Sequence, residues 1–100
     1  MGFLDRLFGK GTDYAELLSK GAKIIDVRSP KEFRGGHVKG AVNIPLDRIK
    51  SQVNKIKKTG VPIILCCASG MRSGNATSIL KGEGVEAYNG GSWGSLNKYV

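Results

Sequence analysis

Two adjacent cysteines, Cys66 and Cys67, are the residues of this sequence best suited to covalent chemistry. They follow an apolar run that starts at Val61, and a short segment of small residues comes after them at 68–70. Neighbouring Cα atoms lie about 3.8 Å apart, which is below the range of about 4.4–6.8 Å that disulfides need. The pair therefore indicates a reducing compartment or a reactive thiol, and not a structural disulfide.

The segment after Cys67 is expected to form a cradle for an anion. Successive backbone N–H groups in a tight loop can point at one centre, and the first turn of a following helix adds positive potential. A thiolate on the floor of such a cradle is stabilised, so its pKa falls and its nucleophilic fraction rises. The same donors would hold a persulfide anion, and this chemistry needs no metal and no organic cofactor. We expect the sulfur of Cys67 to be exposed and ringed by inward-facing amides.

The position of Arg72 leaves two reactions open. Counted from Cys66, the arginine is followed by Ser73 in the C-x5-R-S signature of cysteine-dependent phosphatases. Counted from Cys67, the loop is one residue shorter and fits a single additional sulfur atom better than a phosphate group. The apolar run predicts Cys66 as the last, buried residue of a strand and Cys67 as the first residue of the loop. Sulfur chemistry on Cys67 is therefore favoured, and a phosphatase using Cys66 is the alternative.

The elements that must position this loop are those of an α/β domain. Strands are predicted at 23–27, 41–44, 61–66 and 85–88. Helices are predicted to begin at Thr12, at Ser29 with a capping box, at Leu46, near Ser73 and at Ser92, with Asn89-Gly90-Gly91 as a turn before the last. Because strands and helices alternate, we expect a three-layer α/β domain with a mostly parallel sheet and right-handed crossovers.

A chain of 100 residues indicates one domain. We assign it to residues 12–100, after a short extension at 1–11 whose Phe3, Leu4, Leu7 and Phe8 share one face at helical spacing. The sequence has no apolar run long enough to span a membrane and no signal or transit pattern at its start, so a cytoplasmic location is expected.

The formal net charge of +8 points to anionic partners. Basic residues are densest between Arg48 and Lys58, but no zinc-finger spacing occurs and the aromatic residues do not alternate with the basic ones. We interpret the stretch as the solvated face of an amphipathic helix and do not expect nucleic-acid binding. A basic surface would raise the local concentration of a small anionic substrate such as thiosulfate.

Two motifs of this sequence resemble the single-domain rhodaneses, a family of sulfurtransferases. One is the loop Cys67-x-Ser69-Gly70-x-Arg72-Ser73, and the other is the run from Ile25 to Pro45 (IDVRSP-x-EF-x-x-GHV-x-GAVNIP). Asn89-Gly90-Gly91 and Trp93 also match. The resemblance implies a five-stranded, mostly parallel sheet with helices on both faces.

The resemblance also implies a reaction in two steps. The Cys67 thiolate takes the sulfane sulfur of a donor, often thiosulfate in this family, and the persulfide passes it to cyanide, a small thiol or a protein thiol. A monomer is expected. The resemblance implies that the residues after Cys67 bind the substrate, mainly through their backbone N–H groups. These residues are Ala68, Ser69, Gly70, Met71, Arg72 and Ser73.

Ala68 departs from the family, many members of which have a charged or long polar residue there. This weakens the charge of the pocket, so a protein-bound persulfide is an alternative donor, and a sulfur carrier without turnover is an alternative function. The basic stretch 48–58 and the face of Phe3 and Leu7 would be its docking surfaces.

Four further residues invite a role in the site, and we interpret each as structural. His37, the only histidine, lies in a turn that shapes the fold. Asp26 and Arg28 are expected to hold loops in place through ion pairs or hydrogen bonds. Trp93 is expected to anchor the core.

Overall fold

A computed structural model describes residues 12–100 of the chain. The helices are α1 (Tyr14–Ser19), α2 (Pro30–Arg34), α3 (Ile49–Lys57), α4 (Met71–Gly82) and α5 (Trp93–Leu96), with single 3-10 turns at Leu46–Arg48 and Asn97–Tyr99. The strands are β1 (Lys23–Asp26), β2 (Val42–Asn43), β3 (Ile63–Cys67) and β4 (Ala87–Ser92). The amphipathic segment predicted at 1–11 lies outside the described residues.

The four strands form one parallel sheet in the order β2-β1-β3-β4. The α/β class and the parallel sheet are confirmed, whereas the expected five strands are four within residues 12–100. Asp26 of β1 pairs with Asn43 on one side and with Cys66 on the other. The carboxyl ends of β1, β2 and β3 therefore meet at one edge of the sheet.

Two apolar clusters lie on opposite faces of the sheet. Buried residues of α3 and α4 pack on one face. Leu96 of α5 and partly buried residues of α1 pack on the other. Since all five residues of β3 are buried, this strand is covered on both sides. The three-layer arrangement is confirmed.

Local sequence explains where the short helices begin. The capping box is present at α2, where the hydroxyl of Ser29 accepts from the amide of Glu32 and the Glu32 carboxylate accepts from the amide of Ser29. At α1 the prediction was off by one residue, since the cap is the carboxylate of Asp13 and not Thr12. No helix within residues 12–100 has the length and apolar character needed to cross a membrane.

The predicted turn Asn89-Gly90-Gly91 is wrong, because these residues lie inside β4. A Cβ added at Gly90 would lie 2.9 Å from Cγ2 of Ile64 and 3.0 Å from the carbonyl oxygen of Leu65. A glycine at this position allows β4 to approach β3 closely. The glycine that indicated a turn in the sequence thus allows two strands to pack closely.

Candidate active site

The two cysteines of β3 point to opposite faces of the sheet, as successive residues of a strand do. Cys66 is completely buried and belongs to the cluster under α1 and α5. Burial, together with the nearby carboxylate of Asp26, raises the pKa of the Cys66 thiol to about 12. Cys66 is therefore the buried residue that the sequence predicts, and its position and high pKa do not favour a phosphatase with Cys66 as nucleophile, which stays a prediction.

The sulfur of Cys67 lies where backbone amides converge. Sγ accepts hydrogen bonds from the amide of Gly70 at 2.9 Å and from the amide of Ser73 at 3.4 Å. The hydroxyl oxygen of Ser73 lies 3.4 Å from the same sulfur. Burial by itself raises the pKa of Cys67, but the hydrogen bonds from Ser73, Gly70 and Ser69 outweigh it and the pKa lies below its usual value.

Two details of Cys67 differ from the sequence predictions. Cys67 is the last residue of β3 and not the first of the loop, because it pairs with Ser92 of β4. The expectation of an exposed sulfur is wrong, since the residue is completely buried and packs in the cluster under α3 and α4. The sulfur faces its amides from the floor of an enclosed cradle.

Gly70 gives the loop its shape. It has a φ of +101° and is the residue that precedes α4, so the helix begins at Met71 and not near Ser73. A side chain is strained at this φ, and a Cβ there would also lie 3.4 Å from Cα of Gly91. This left-handed residue belongs to the turn that aims the amides of Gly70 and Ser73 at the sulfur.

Asn89 is a site residue that the sequence reasoning missed. Its Nδ2 donates to the carbonyl oxygen of Gly70 at 3.0 Å, and its Oδ1 accepts from the amide of Gly91 at 3.0 Å and from the hydroxyl of Ser73 at 2.7 Å. Asn89 therefore ties β4 to the loop. The available signal was an asparagine directly after the predicted strand 85–88, which we interpreted only as part of a turn.

The contacts of Asn89 determine which acceptor the hydroxyl proton of Ser73 points to. Because Oδ1 of Asn89 can only accept, the hydroxyl of Ser73 donates to it and its oxygen stays free to accept the S–H proton of a Cys67 thiol. When Cys67 is a thiolate, the hydroxyl has a stronger acceptor in the sulfur and can rotate toward it. Ser73 therefore serves both protonation states of Cys67.

Arg72 forms an ion pair with a carboxylate from a distant part of the chain. Its guanidinium donates to both carboxylate oxygens of Glu32, at 2.8 and 3.0 Å. The hydrogen bonds from Arg72 and from the amide of Ser29 lower the pKa of Glu32 to about 2. The carboxylate therefore offsets the positive charge predicted beside the cradle.

The other predicted binding residues differ in where they lie. Ser69 is exposed, and its amide helps to lower the pKa of Cys67. The side chains of Ala68 and Met71 are exposed on the outside of the loop, Met71 to 79%. Neither residue makes a hydrogen bond to the sulfur among those found within residues 12–100.

The residues interpreted as structural have structural contacts. His37 stacks on Phe33 at 3.7 Å, and its Nδ1 lies 2.8 Å from the carbonyl oxygen of Phe33. Arg28 forms a buried ion pair with Asp26 at 2.7 Å and lies over the ring of Trp93 at 4.9 Å. Within residues 12–100, no three His, Cys, Asp or Glu side chains converge as metal ligands would.

Comparison with known proteins points to one family. The family model described as Rhodanese-like domain matches residues 11–94. The chain is 47% identical over 82 residues to the uncharacterized protein YqhL of Bacillus subtilis, covering 77% of this chain and 64% of that protein. It is 38% identical over 65 residues to the thiosulfate sulfurtransferase PspE of Escherichia coli, covering 60% of this chain and 59% of that protein.

A solved structure supports the same relationship. The structure titled rhodanese with anions from E. coli superposes with a TM-score of 0.69 at 31% identity, covering 75% of this chain and 91% of that one. In both curated relatives, the chain spans less than two thirds of the relative's length.

Proposed function

The chain belongs to the rhodanese-like domain family, and on that premise we propose that it is a sulfurtransferase that carries a sulfane sulfur as a persulfide on Cys67. The observation that carries the proposal is the convergence of the Gly70 and Ser73 amides on Sγ of Cys67. These donors stabilise a thiolate, the form that attacks sulfur. A cytoplasmic location and a monomeric state stay predictions.

The reaction has two displacement steps. The Cys67 thiolate attacks the sulfane sulfur of thiosulfate, a new S–S bond forms, and sulfite leaves with the electron pair of the bond that breaks. An acceptor such as cyanide then attacks the outer sulfur of the persulfide, which yields thiocyanate and returns the Cys67 thiolate. The amides of the loop hold negative charge on sulfur in both resting forms.

The enclosed position of Cys67 adds a requirement to the first step. Since the residue is completely buried, a donor reaches Sγ only when the loop at 68–70 moves aside. The exposed side chains of Ala68 and Ser69 give up little packing when they shift. Movement at Gly70 also requires its hydrogen bonds with Asn89 and with the sulfur to open.

A sulfur carrier that serves protein partners is the second candidate. The observation that favours it is the pairing of Arg72 with Glu32, which leaves less positive charge beside the cradle for thiosulfate. A persulfide on a protein or a small thiol would depend less on that charge. Both candidates use the same persulfide and differ in turnover with small substrates.

The test is the intact mass of the protein after treatment with thiosulfate, followed by thiocyanate release on addition of cyanide. We expect an adduct of one sulfur atom that is lost in Cys67→Ser and kept in Cys66→Ser, the matched control from the other face of the strand. Full activity in Cys67→Ser would exclude Cys67 as the nucleophile. An adduct with little thiocyanate would favour the carrier.

A further inference from the structure

A groove of about 450 Å³ lies between the edge strand β2 and helix α3, apart from the cysteine loop. Its floor consists of Ile25, Ile56 and Ile63, which belong to the cluster under α3 and α4. Val42 lines its outer wall and is 53% exposed, although it is a large apolar residue in a strand. The groove therefore offers an apolar surface that is open to a partner.

Three cations surround this apolar floor, namely Lys23, Arg48 and Lys55. All three are exposed, and among the described residues 12–100 no acidic side chain lines the groove. The ion pairs found within residues 12–100 involve other basic residues and leave these three unpaired. The groove thus combines an apolar floor with a positive rim, and we call it the basic groove.

The basic groove reaches the edge of the sheet that carries the cysteines. Asn43, at the carboxyl end of β2, lines the groove and lies beside Asp26, which in turn lies beside Cys66. With adjacent strands about 4.8 Å apart, this end of the groove is roughly 10 Å from β3. A chain bound in the groove could therefore present a reactive group to the cysteine loop.

We propose that the basic groove binds an acidic segment of a protein that exchanges sulfur with Cys67. An aliphatic side chain of the partner would enter the apolar floor, and its carboxylates would meet the three cations. This inference rests on the proposed function and names the chemistry of the partner. Among the part of the chain that the structure describes, no aromatic side chain on which a base could stack lines the groove, so the groove suits a protein segment better than a single-stranded nucleic acid.

The experiment measures binding of a short fluorescent peptide of alternating Glu and Leu to the full chain, by anisotropy at near-physiological salt. We expect the double variant Arg48→Glu/Lys55→Glu to bind about tenfold more weakly. The matched control, Lys81→Glu/Lys98→Glu, makes the same charge change at two exposed positions outside the groove and should bind as the parent does. Replacing Glu by Gln, or Leu by Ser, in the peptide should also weaken binding.

Several outcomes would overturn the proposal. Equal losses in the two double variants would indicate general charge attraction. Tighter binding of an oligonucleotide than of the peptide, with the same dependence on Arg48 and Lys55, would assign the groove to nucleic acid. Tighter peptide binding in Leu7→Ser/Phe8→Ser would mean that the chain's own start occupies the groove. A dimer that dissociates in Arg48→Glu/Lys55→Glu would assign it to a second copy.

Two further measurements separate this proposal from the sulfur chemistry. The Cys67→Ser chain should bind the peptide as the parent does, so a failure of the sulfur adduct leaves the groove testable. The groove variant should form the adduct with thiosulfate as the parent does. Absence of peptide binding by a chain that still forms the adduct would overturn the groove proposal alone.

Discussion

At the scale of single residues, the chemistry of the site depends on which hydrogen bonds reach one sulfur atom. Cys66 and Cys67 are neighbours of the same type, yet burial raises the pKa of one to about 12 and hydrogen bonds lower the pKa of the other. Hydrogen-bond donors reach the sulfur of Cys67, whereas burial and the nearby carboxylate of Asp26 both disfavour a thiolate on Cys66. Donors aimed at a buried thiol favour its thiolate form, and burial without them favours the neutral thiol.

Ser73→Ala should raise the pKa of Cys67, because the thiolate loses the hydroxyl that lies 3.4 Å from it. Less thiolate is then present at neutral pH, and alkylation by iodoacetamide should slow about tenfold, as expected for one hydrogen bond to a charged group. The measurement is the pH dependence of the ultraviolet absorbance of the thiolate and of the alkylation rate. The high pKa of Cys66 keeps its titration apart from that of Cys67.

The control for Ser73→Ala is Thr77→Val, which removes another buried hydroxyl of α4. Thr77 donates to the carbonyl oxygen of Ser73 at 2.7 Å and makes no hydrogen bond to the sulfur. Thr77→Val should leave the pKa of Cys67 unchanged. If both variants moved it equally, a general disturbance of the helix would account for the effect.

At the scale of elements, the site depends on how closely β4 approaches β3. Asn89 can hold the loop at Gly70 only if β4 lies against β3 along this stretch. The absence of a side chain at Gly90 permits that approach, because atoms of Ile64, Leu65 and Leu96 would lie 2.9–3.1 Å from a Cβ at this position. Packing of two strands therefore sets the shape of the cradle.

Gly90→Ala should lower the free energy of unfolding by about 1–3 kcal/mol, as expected for overpacking of a well-packed site. The added Cβ would lie 2.9 Å from Cγ2 of Ile64 and 3.1 Å from Cδ2 of Leu96. The measurement is urea denaturation. Gly82→Ala, in α4, is the control and should not destabilise, because none of residues 12–100 outside its chain neighbours and its own helix backbone comes within 4 Å of the added Cβ. An unchanged stability of Gly90→Ala would show that β4 has room to shift.

At the scale of the whole molecule, contacts between distant segments set the charge beside the cradle. Glu32 of α2 and Arg72 of α4 are 40 residues apart, and their pairing links the run from Ile25 to Pro45 with the cysteine loop. The capping box of α2 fixes the position of the carboxylate, since Glu32 also accepts from the amide of Ser29. The two motifs of the sequence therefore meet in one ion pair.

Glu32→Gln should lower the KM for thiosulfate about threefold with a smaller change in kcat, because the variant frees the charge of Arg72 for the anion. Glutamine can still accept the hydrogen bond from the amide of Ser29, so the start of α2 is kept. Steady-state kinetics with cyanide as acceptor measure the effect.

Ser29→Ala is the control for Glu32→Gln, since it removes a capping hydrogen bond and leaves the pair with Arg72 in place. The control should keep the KM of the parent. A KM in Glu32→Gln that is unchanged or higher would show that Arg72 does not serve the donor.

The sequence by itself determined the alternation of strands and helices, the parallel sheet, the capping box at Ser29 and the buried position of Cys66. These features depend on local spacing and on residue types, which a single chain displays directly. The buried state of Cys67, the role of Asn89 and the pairing of Arg72 were decided by the tertiary structure alone. Each of them depends on which distant segment lies against the loop, because hydrogen bonds and burial are set by neighbours in space and not by neighbours along the chain.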